Sequence, residues 1–139
     1  MPILTRWFIK TSLVYLLAAL IVGVGQAAQT PLGRPASLAA AGPVYVHLLV
    51  VGWITQMIFG VAYWMFPRHT PERPRGSDRL ALASYALLNI GLLLRVVGEP
   101  AHTLHPAAGL GWTLAVSAAL QWLGGMAFAV NTWARVKER

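Results

Sequence analysis

The chain alternates between four long apolar runs and three short polar or proline-rich stretches. A helix that crosses a bilayer needs about 20 mostly apolar residues to span a hydrocarbon core about 30 Å thick. The runs cover approximately residues 7–28, 44–66, 80–98 and 107–133. The pattern therefore predicts a single all-α domain over residues 1–139, an integral membrane four-helix bundle.

The polar stretches contain residues that are typical of helix ends. Pro43 stands just before the second run, where the missing N–H of proline costs nothing. Ser77 or Asp78 is suited to cap the third helix. We expect the third helix to stop at the sequence Gly98-Glu99-Pro100 and the fourth to open at His105-Pro106.

A cleavable signal peptide is the alternative interpretation of the first run. Small residues follow its apolar core, in the sequence Gly25-Gln26-Ala27-Ala28. The length of the run favours a retained membrane span.

The composition supports the membrane interpretation and excludes several kinds of site. The hydrophobic set makes up 57% of the residues and charged residues only 11%, against roughly 45–50% and about 25% in soluble domains. The chain contains no cysteine, which excludes disulfide scaffolds, iron–sulfur clusters, thiolate zinc sites and thiol catalysis.

The net charge of +7 comes from eleven basic and four acidic residues, and the basic residues are unevenly placed. Nine of the eleven fall before or at the start of the first run, between the second and third, or after the fourth: Arg6, Lys10, Arg68, Arg73, Arg75, Arg79, Arg135, Lys137 and Arg139. By the positive-inside rule both termini and the middle loop are cytoplasmic. The basicity is thereby explained without nucleic acid.

Four ionisable residues lie within or beside the spans, near the predicted outer face: His47, Arg95, His102 and His105. An ionisable residue is costly in lipid and is a functional hypothesis by default. His102 and His105 are three residues apart and share a face if the turn is helical. His69, in the arginine-rich loop, is expected to be solvated.

The sequence allows two interpretations of His47. A helical wheel places an aliphatic face around it, which suits a flat apolar cofactor such as haem held by an imidazole nitrogen; this face comprises Val50, Val51, Ile54, Ile58, Ala62 and Met65. The alternative is an interfacial histidine that meets headgroups or a backbone carbonyl. On the other side, Gly52, Gln56 and Gly60 form a small and polar stripe where another helix is expected to pack closely.

The other three ionisable residues also keep two interpretations each. Arg95 either pairs with Glu99 four residues later or meets the propionates of a haem. His102 and His105 are ligands for haem or copper, or solvated loop residues. Deeper in the spans, Thr55, Gln56, Asn89 and Gln121 are candidates for hydrogen bonds between helices.

Two segments of the second run resemble a known family: Val46-His47-Leu48-Leu49-Val50-Val51-Gly52-Trp53 and Gly60-Val61-Ala62-Tyr63-Trp64-Met65-Phe66-Pro67-Arg68. They are similar to the second helix of the haem–copper oxidase catalytic subunit, nearest to the nitric oxide reductases and C-type oxidases. The resemblance implies that His47 is an axial ligand of a low-spin haem b. The start of the first run, Trp7-Phe8-Ile9-Lys10, is also similar to the preceding helix of the family, so the resemblance covers about the first half of the chain. The chain lacks the later helices that carry the family's other ligands.

The resemblance makes the chain look like one four-helix arc of the large subunit, for which a homotrimer is an attractive assembly. We therefore expect a small haem b electron-transfer protein of the bacterial cytoplasmic membrane, with the second ligand from His102, His105 or a neighbouring subunit. Catalysis by this chain alone is not expected, because one ligand is too few for dioxygen or nitric oxide chemistry. The alternatives are a cofactor-free accessory subunit of a respiratory or photosynthetic complex and a copper-handling carrier.

Overall fold

The computed structural model describes residues 1–32, 40–67, 71 and 74–136, without the side chains of residues 29–32. In this part of the chain every regular element is helical. The long helices are α1 (Ile3–Leu32), α2 (Gly42–Met65), α3 (Asp78–Leu104) and α4 (Gly111–Trp133). All four are long and apolar enough to cross a membrane. The prediction of an all-α fold with four helices of membrane-spanning length is confirmed for the described residues, whereas the side on which the termini lie stays a prediction.

The expected end of the third helix at Gly98 is wrong, because α3 continues through Pro100 to Leu104. Pro100 has no N–H for the carbonyl of Val96, but one missing bond does not end a membrane helix that neighbouring groups support. The last turn is stabilised by the Thr103 hydroxyl, which donates to the Glu99 carbonyl at 2.9 Å. The extension brings Glu99 and His102 into the helix.

The fourth helix begins later than predicted, at Gly111 instead of near residue 107. Residues Pro106–Ala108 form one 3₁₀ turn. Gly109 follows in the left-handed conformation with φ +64, which glycine adopts without a steric penalty. The connection between α3 and α4 is therefore a tight turn.

Helix α2 contains a π-helical segment, Leu48–Thr55, that begins directly after His47. Along the whole of α2, buried positions recur every four residues, at Val44, Leu48, Gly52, Gln56 and Gly60. At about 100° per residue, sixteen residues of regular α-helix would end about 160° away from the starting face. The i→i+5 bonding of the π segment underwinds the helix and keeps these positions on one face.

Glycines allow the helices to approach closely, as the small-residue stripe predicted. A Cβ added at Gly52 would lie 2.8 Å from Tyr15 Cβ, and one added at Gly60 would lie 2.8 Å from Phe8 Cβ. Helices α3 and α4 approach in the same way, since a Cβ on Gly124 would lie 2.9 Å from Leu88 Cγ. Contacts this close leave no space between the helices at these crossings.

A hydrogen-bonded network joins three of the helices in the apolar interior. The Tyr15 hydroxyl donates to Asn89 Oδ1 at 2.9 Å, and the amides of Asn89 and Gln56 exchange hydrogen bonds at 3.2 and 3.3 Å. The prediction of interhelical bonds is confirmed for Asn89 and Gln56. Gln121 instead donates to Ser117 within α4, and Thr55 forms no interhelical hydrogen bond with the described residues.

Candidate functional site

The first candidate site lies where α2 begins and α3 ends, and we call this the histidine end; its ionisable residues are His47, Arg95, Glu99, His102 and His105. His47 Nδ1 is 2.9 Å from the carbonyl oxygen of Pro43, one turn earlier in the same helix. A carbonyl only accepts, so Nδ1 carries the proton and the Nε2 lone pair remains free. Nε2 forms no hydrogen bond with the described residues, and the side chain is 26% exposed.

Glu99 connects the two candidate residues His47 and Arg95. The Arg95 guanidinium donates two hydrogen bonds to the Glu99 carboxylate, at 3.3 and 3.4 Å. Glu99 Oε2, which accepts from Arg95 Nε, also lies 4.0 Å from His47 Nδ1. Arg95 thus forms the ion pair that was one of its two interpretations, and an acidic group lies beside His47.

The structure separates His102 from His105. His102 lies in the last turn of α3, and its Nδ1 is buried without a hydrogen-bond partner. Its ring packs beside Gly111, where an added Cβ would lie 3.6 Å from Cε1. His105 follows the helix at φ −131 and is exposed. The condition for a shared face, a helical turn over both residues, is therefore not met, because α3 ends at Leu104 between them.

The aliphatic face predicted beside His47 is only partly retained. Val50, Ile54, Ile58 and Met65 are exposed, and Val51 is half-buried. Ala62 is buried, but it lines the same surface groove as Ile58 and Met65 and so remains on their side of α2. The π segment instead shifts this face relative to His47, because underwinding places Val50 and Ile54 beside the position of His47 and not on its own face.

The opposite end of the bundle is built around a buried arginine, and we call it the arginine end. Arg135 follows α4 and is 1% exposed. Its guanidinium donates to the carbonyl oxygens of Tyr63, Phe66 and Pro67 at 2.8 to 3.1 Å. These carbonyls belong to the end of α2, where they have no partners within the helix. Burial lowers the pKa of the Arg135 guanidinium, yet arginine loses its proton only far above neutral pH.

Two further polar pairs hold the arginine end together. The Tyr63 hydroxyl donates to Asp78 Oδ1 at 2.6 Å. Asn131 Oδ1 accepts from the backbone N–H of Ser77 at 2.7 Å. Gly76 precedes Ser77 at φ +78, and a Cβ there would lie 2.6 Å from Asn131 Oδ1. The loop that leads into α3 is thus fastened to the end of α4.

Sequence reasoning missed the role of Arg135, which counted only as one of the basic residues of the cytoplasmic side. The position of Asn131 one helical turn earlier, on the same face, was the available signal. His69 lies outside the described residues. The other cations that stay unplaced for the same reason are Arg34, Arg68, Arg73, Lys137 and Arg139.

In the part of the chain that the structure describes, no three His, Asp or Glu residues come together in a group that could hold a metal ion. His47 combines an Nε2 without a hydrogen bond to the described residues with an Nδ1 held by a carbonyl, an arrangement that is common in metal-binding histidines. No family model, no curated protein and no solved structure matches the chain.

Proposed function

We propose that the protein is a haem b-binding electron-transfer protein of the bacterial cytoplasmic membrane, in which His47 is an axial ligand. The observation that carries the proposal is the 2.9 Å contact between His47 Nδ1 and the Pro43 carbonyl. It directs the proton to Nδ1, fixes the ring orientation and leaves Nε2 to bind iron. The bound haem would supply one-electron redox chemistry.

The surroundings of His47 support a haem on the outer surface of α2 and not between the helices. Exposed Val50 and Ile54 lie on the strip of α2 adjacent to the position of His47 and offer an apolar surface to a flat ring. The crossings at Gly52 and Gly60 are too close to admit a macrocycle. A haem held in this way is covered on its other face by lipid or by a second protein surface.

That geometry makes a neighbouring subunit a natural source of the second ligand and of the cover. Within the chain the alternatives are His102, whose Nδ1 is buried and unpaired, and the exposed His105. A homotrimer would place the α2 face of one copy against the next. Because Arg95 is already paired with Glu99, contact with the haem propionates would require it to share its donors.

The test is a reduced-minus-oxidised spectrum and a pyridine haemochrome assay on the purified protein. We expect about one haem per chain or per subunit contact in the wild type and loss of the haem in His47→Ala. His69→Ala, which removes an imidazole from the loop between α2 and α3, serves as the matched control and should keep the haem. His102→Ala and His105→Ala identify an internal second ligand through a shifted spectrum. A colourless wild-type protein, expressed with sufficient haem, would refute the proposal.

The second candidate function is a cofactor-free subunit of a larger respiratory or photosynthetic complex. The closed Arg95–Glu99 pair and the glycine crossings favour it, since both leave the bundle complete without a cofactor. Co-purification of a colourless protein with a larger complex would support this function over haem binding. Metal analysis by mass spectrometry would detect bound copper, and it therefore distinguishes haem binding and the cofactor-free subunit from a copper carrier.

A further inference from the structure

A groove at the arginine end combines two cations with exposed aromatic rings. It is lined by Arg75 and Arg135 together with Trp64, Phe66 and the prolines that flank the loop. Trp64 and Phe66 are exposed, at the end of a helix long enough to cross a membrane. Aromatic residues at this depth are typical of the level of lipid headgroups. We refer to this surface as the basic groove.

The positive charge of the basic groove is not neutralised by the described part of the chain. Arg135 uses Nε and one terminal nitrogen on three carbonyls, while its other terminal nitrogen, Nη1, is buried without a partner. Carbonyls are neutral, so these bonds leave the full charge in place. Asp78 is the acidic residue described at this end, and its carboxylate is bonded to Tyr63 instead of to either arginine. An unpaired donor on a buried cation indicates a missing anion.

A second groove runs from the basic groove along the lipid-facing side of α2. It is lined by Met57, Ile58, Val61, Met65 and Phe66. Met65 and Phe66 line both grooves, so the two are continuous. Ile58 and Met65 are among the most exposed apolar side chains of α2.

We propose that the two grooves together bind one anionic phospholipid. Its phosphate lies at Arg75 and Arg135, and one acyl chain follows the apolar groove along α2. A guanidinium matches the oxygens of a phosphate, and basic pockets at the ends of membrane helices suit anionic headgroups. Inorganic phosphate would fill only the basic groove, so the continuity with the apolar groove selects a lipid.

The experiment measures lipid binding to the delipidated full chain in detergent, by native mass spectrometry. Phosphatidylglycerol and phosphatidylcholine with the same acyl chains are the probes, because they share the phosphate and the chains but differ in net charge through their headgroups. We expect phosphatidylglycerol to bind more tightly, and Arg75→Gln to weaken it by about fivefold, the effect of one basic residue near a membrane surface. The matched control is Arg79→Gln, which removes an exposed charge outside the basic groove and should change binding by less than about twofold.

The acyl part of the site has its own pair of variants. Val61→Trp fills the apolar groove and should weaken phosphatidylglycerol binding, whereas Ile90→Trp adds the same bulk to an exposed position on α3 and should not. Circular dichroism of each variant confirms that the helices are retained. None of these residues takes part in the haem proposal, so lipid binding and haem content are read independently.

Three results would overturn the proposal. Equal binding of the two lipids would show that charge is not recognised. Equal loss in Arg75→Gln and Arg79→Gln would indicate general attraction to a basic surface. Displacement of the lipid by inorganic phosphate, with no effect of Val61→Trp, would indicate an anion site without a lipid.

Discussion

The two ends of the bundle use their polar groups differently in the part of the chain that the structure describes. At the arginine end, hydrogen bonds join different segments: Arg135 donates to backbone carbonyls at the end of α2, Asn131 accepts from the Ser77 N–H, and Tyr63 donates to Asp78. At the histidine end, the hydrogen bonds of His47 and Arg95 stay within single helices, and His47 Nδ1 only approaches Glu99 Oε2 of α3, at 4.0 Å. The arginine end is fastened by polar bonds, and the histidine end by helix packing.

This difference indicates where chemistry can take place. Bonds to the backbone of other segments use up donor capacity and stabilise the tertiary structure, as at Arg135. A local bond orients a side chain and leaves its other atoms free, as the Nδ1–Pro43 contact of His47 leaves Nε2. A ligand nitrogen must be both oriented and free. The histidine end meets this requirement, which is why the haem proposal belongs there.

The largest effect is expected from Arg135→Met. The variant leaves three carbonyls of the α2 end without their charged donor, and we expect a loss of about 3 kcal/mol in the free energy of unfolding. Unfolding in mixed detergent micelles, followed by circular dichroism, measures it. Arg79→Met removes an exposed arginine and should change stability by less than about 0.5 kcal/mol. A loss no larger in Arg135→Met than in Arg79→Met would contradict the polar fastening of the arginine end.

An intermediate effect is expected from Gly52→Ala, next to the histidine end. The added Cβ would lie 2.8 Å from Tyr15 Cβ and Cγ and 3.0 Å from Leu92 Cδ2, so α1 must move away at a cost of about 2 kcal/mol. Gly125→Ala is the matched control, because nothing lies within 4 Å of its Cβ position. The same unfolding measurement should show that variant to be unchanged or slightly stabilised. Equal stability of the two variants would mean that close packing does not hold this end.

The smallest effect is expected from Glu99→Gln. An i, i+4 ion pair contributes less than about 1 kcal/mol, and glutamine keeps the size and an acceptor for Arg95. The free energy of unfolding should therefore change by less than about 1 kcal/mol, well below the loss expected for Arg135→Met. A loss as large as that of Arg135→Met would show that the histidine end also depends on its polar contacts, and would remove the contrast between the two ends.

Much of the fold was predictable because each span is a local property of the sequence. About twenty apolar residues in a row have no other stable arrangement in lipid than a helix. The close contacts at Gly52 and Gly60 were predictable too, since small residues mark helix crossings. The end of α3 was not, because whether a helix continues through Pro100 depends on bonds such as Thr103 to Glu99.

The candidate site was predictable in its members but not in its arrangement. His47, Arg95, His102 and His105 stood out because charge is rare in the spans. Their separation into a local cluster around Glu99, a buried His102 and an exposed His105 depends on where α3 ends and α4 begins. The position of His47 relative to the aliphatic face was not predictable either, since a fixed 100° wheel does not include the π segment.

By itself the sequence determined that the chain has four membrane-length helices and which few residues carry charge near them. The helices follow from the free energy of transferring each segment to lipid, which depends on the composition of that segment. The charged residues are read directly from the sequence. Only the tertiary structure decided that Arg135 is buried as the partner of the α2 carbonyls while His47 keeps a free nitrogen. Burial and hydrogen bonding of a side chain are set by atoms from distant parts of the chain, 68 to 72 residues away for Arg135, and no local pattern contains that information.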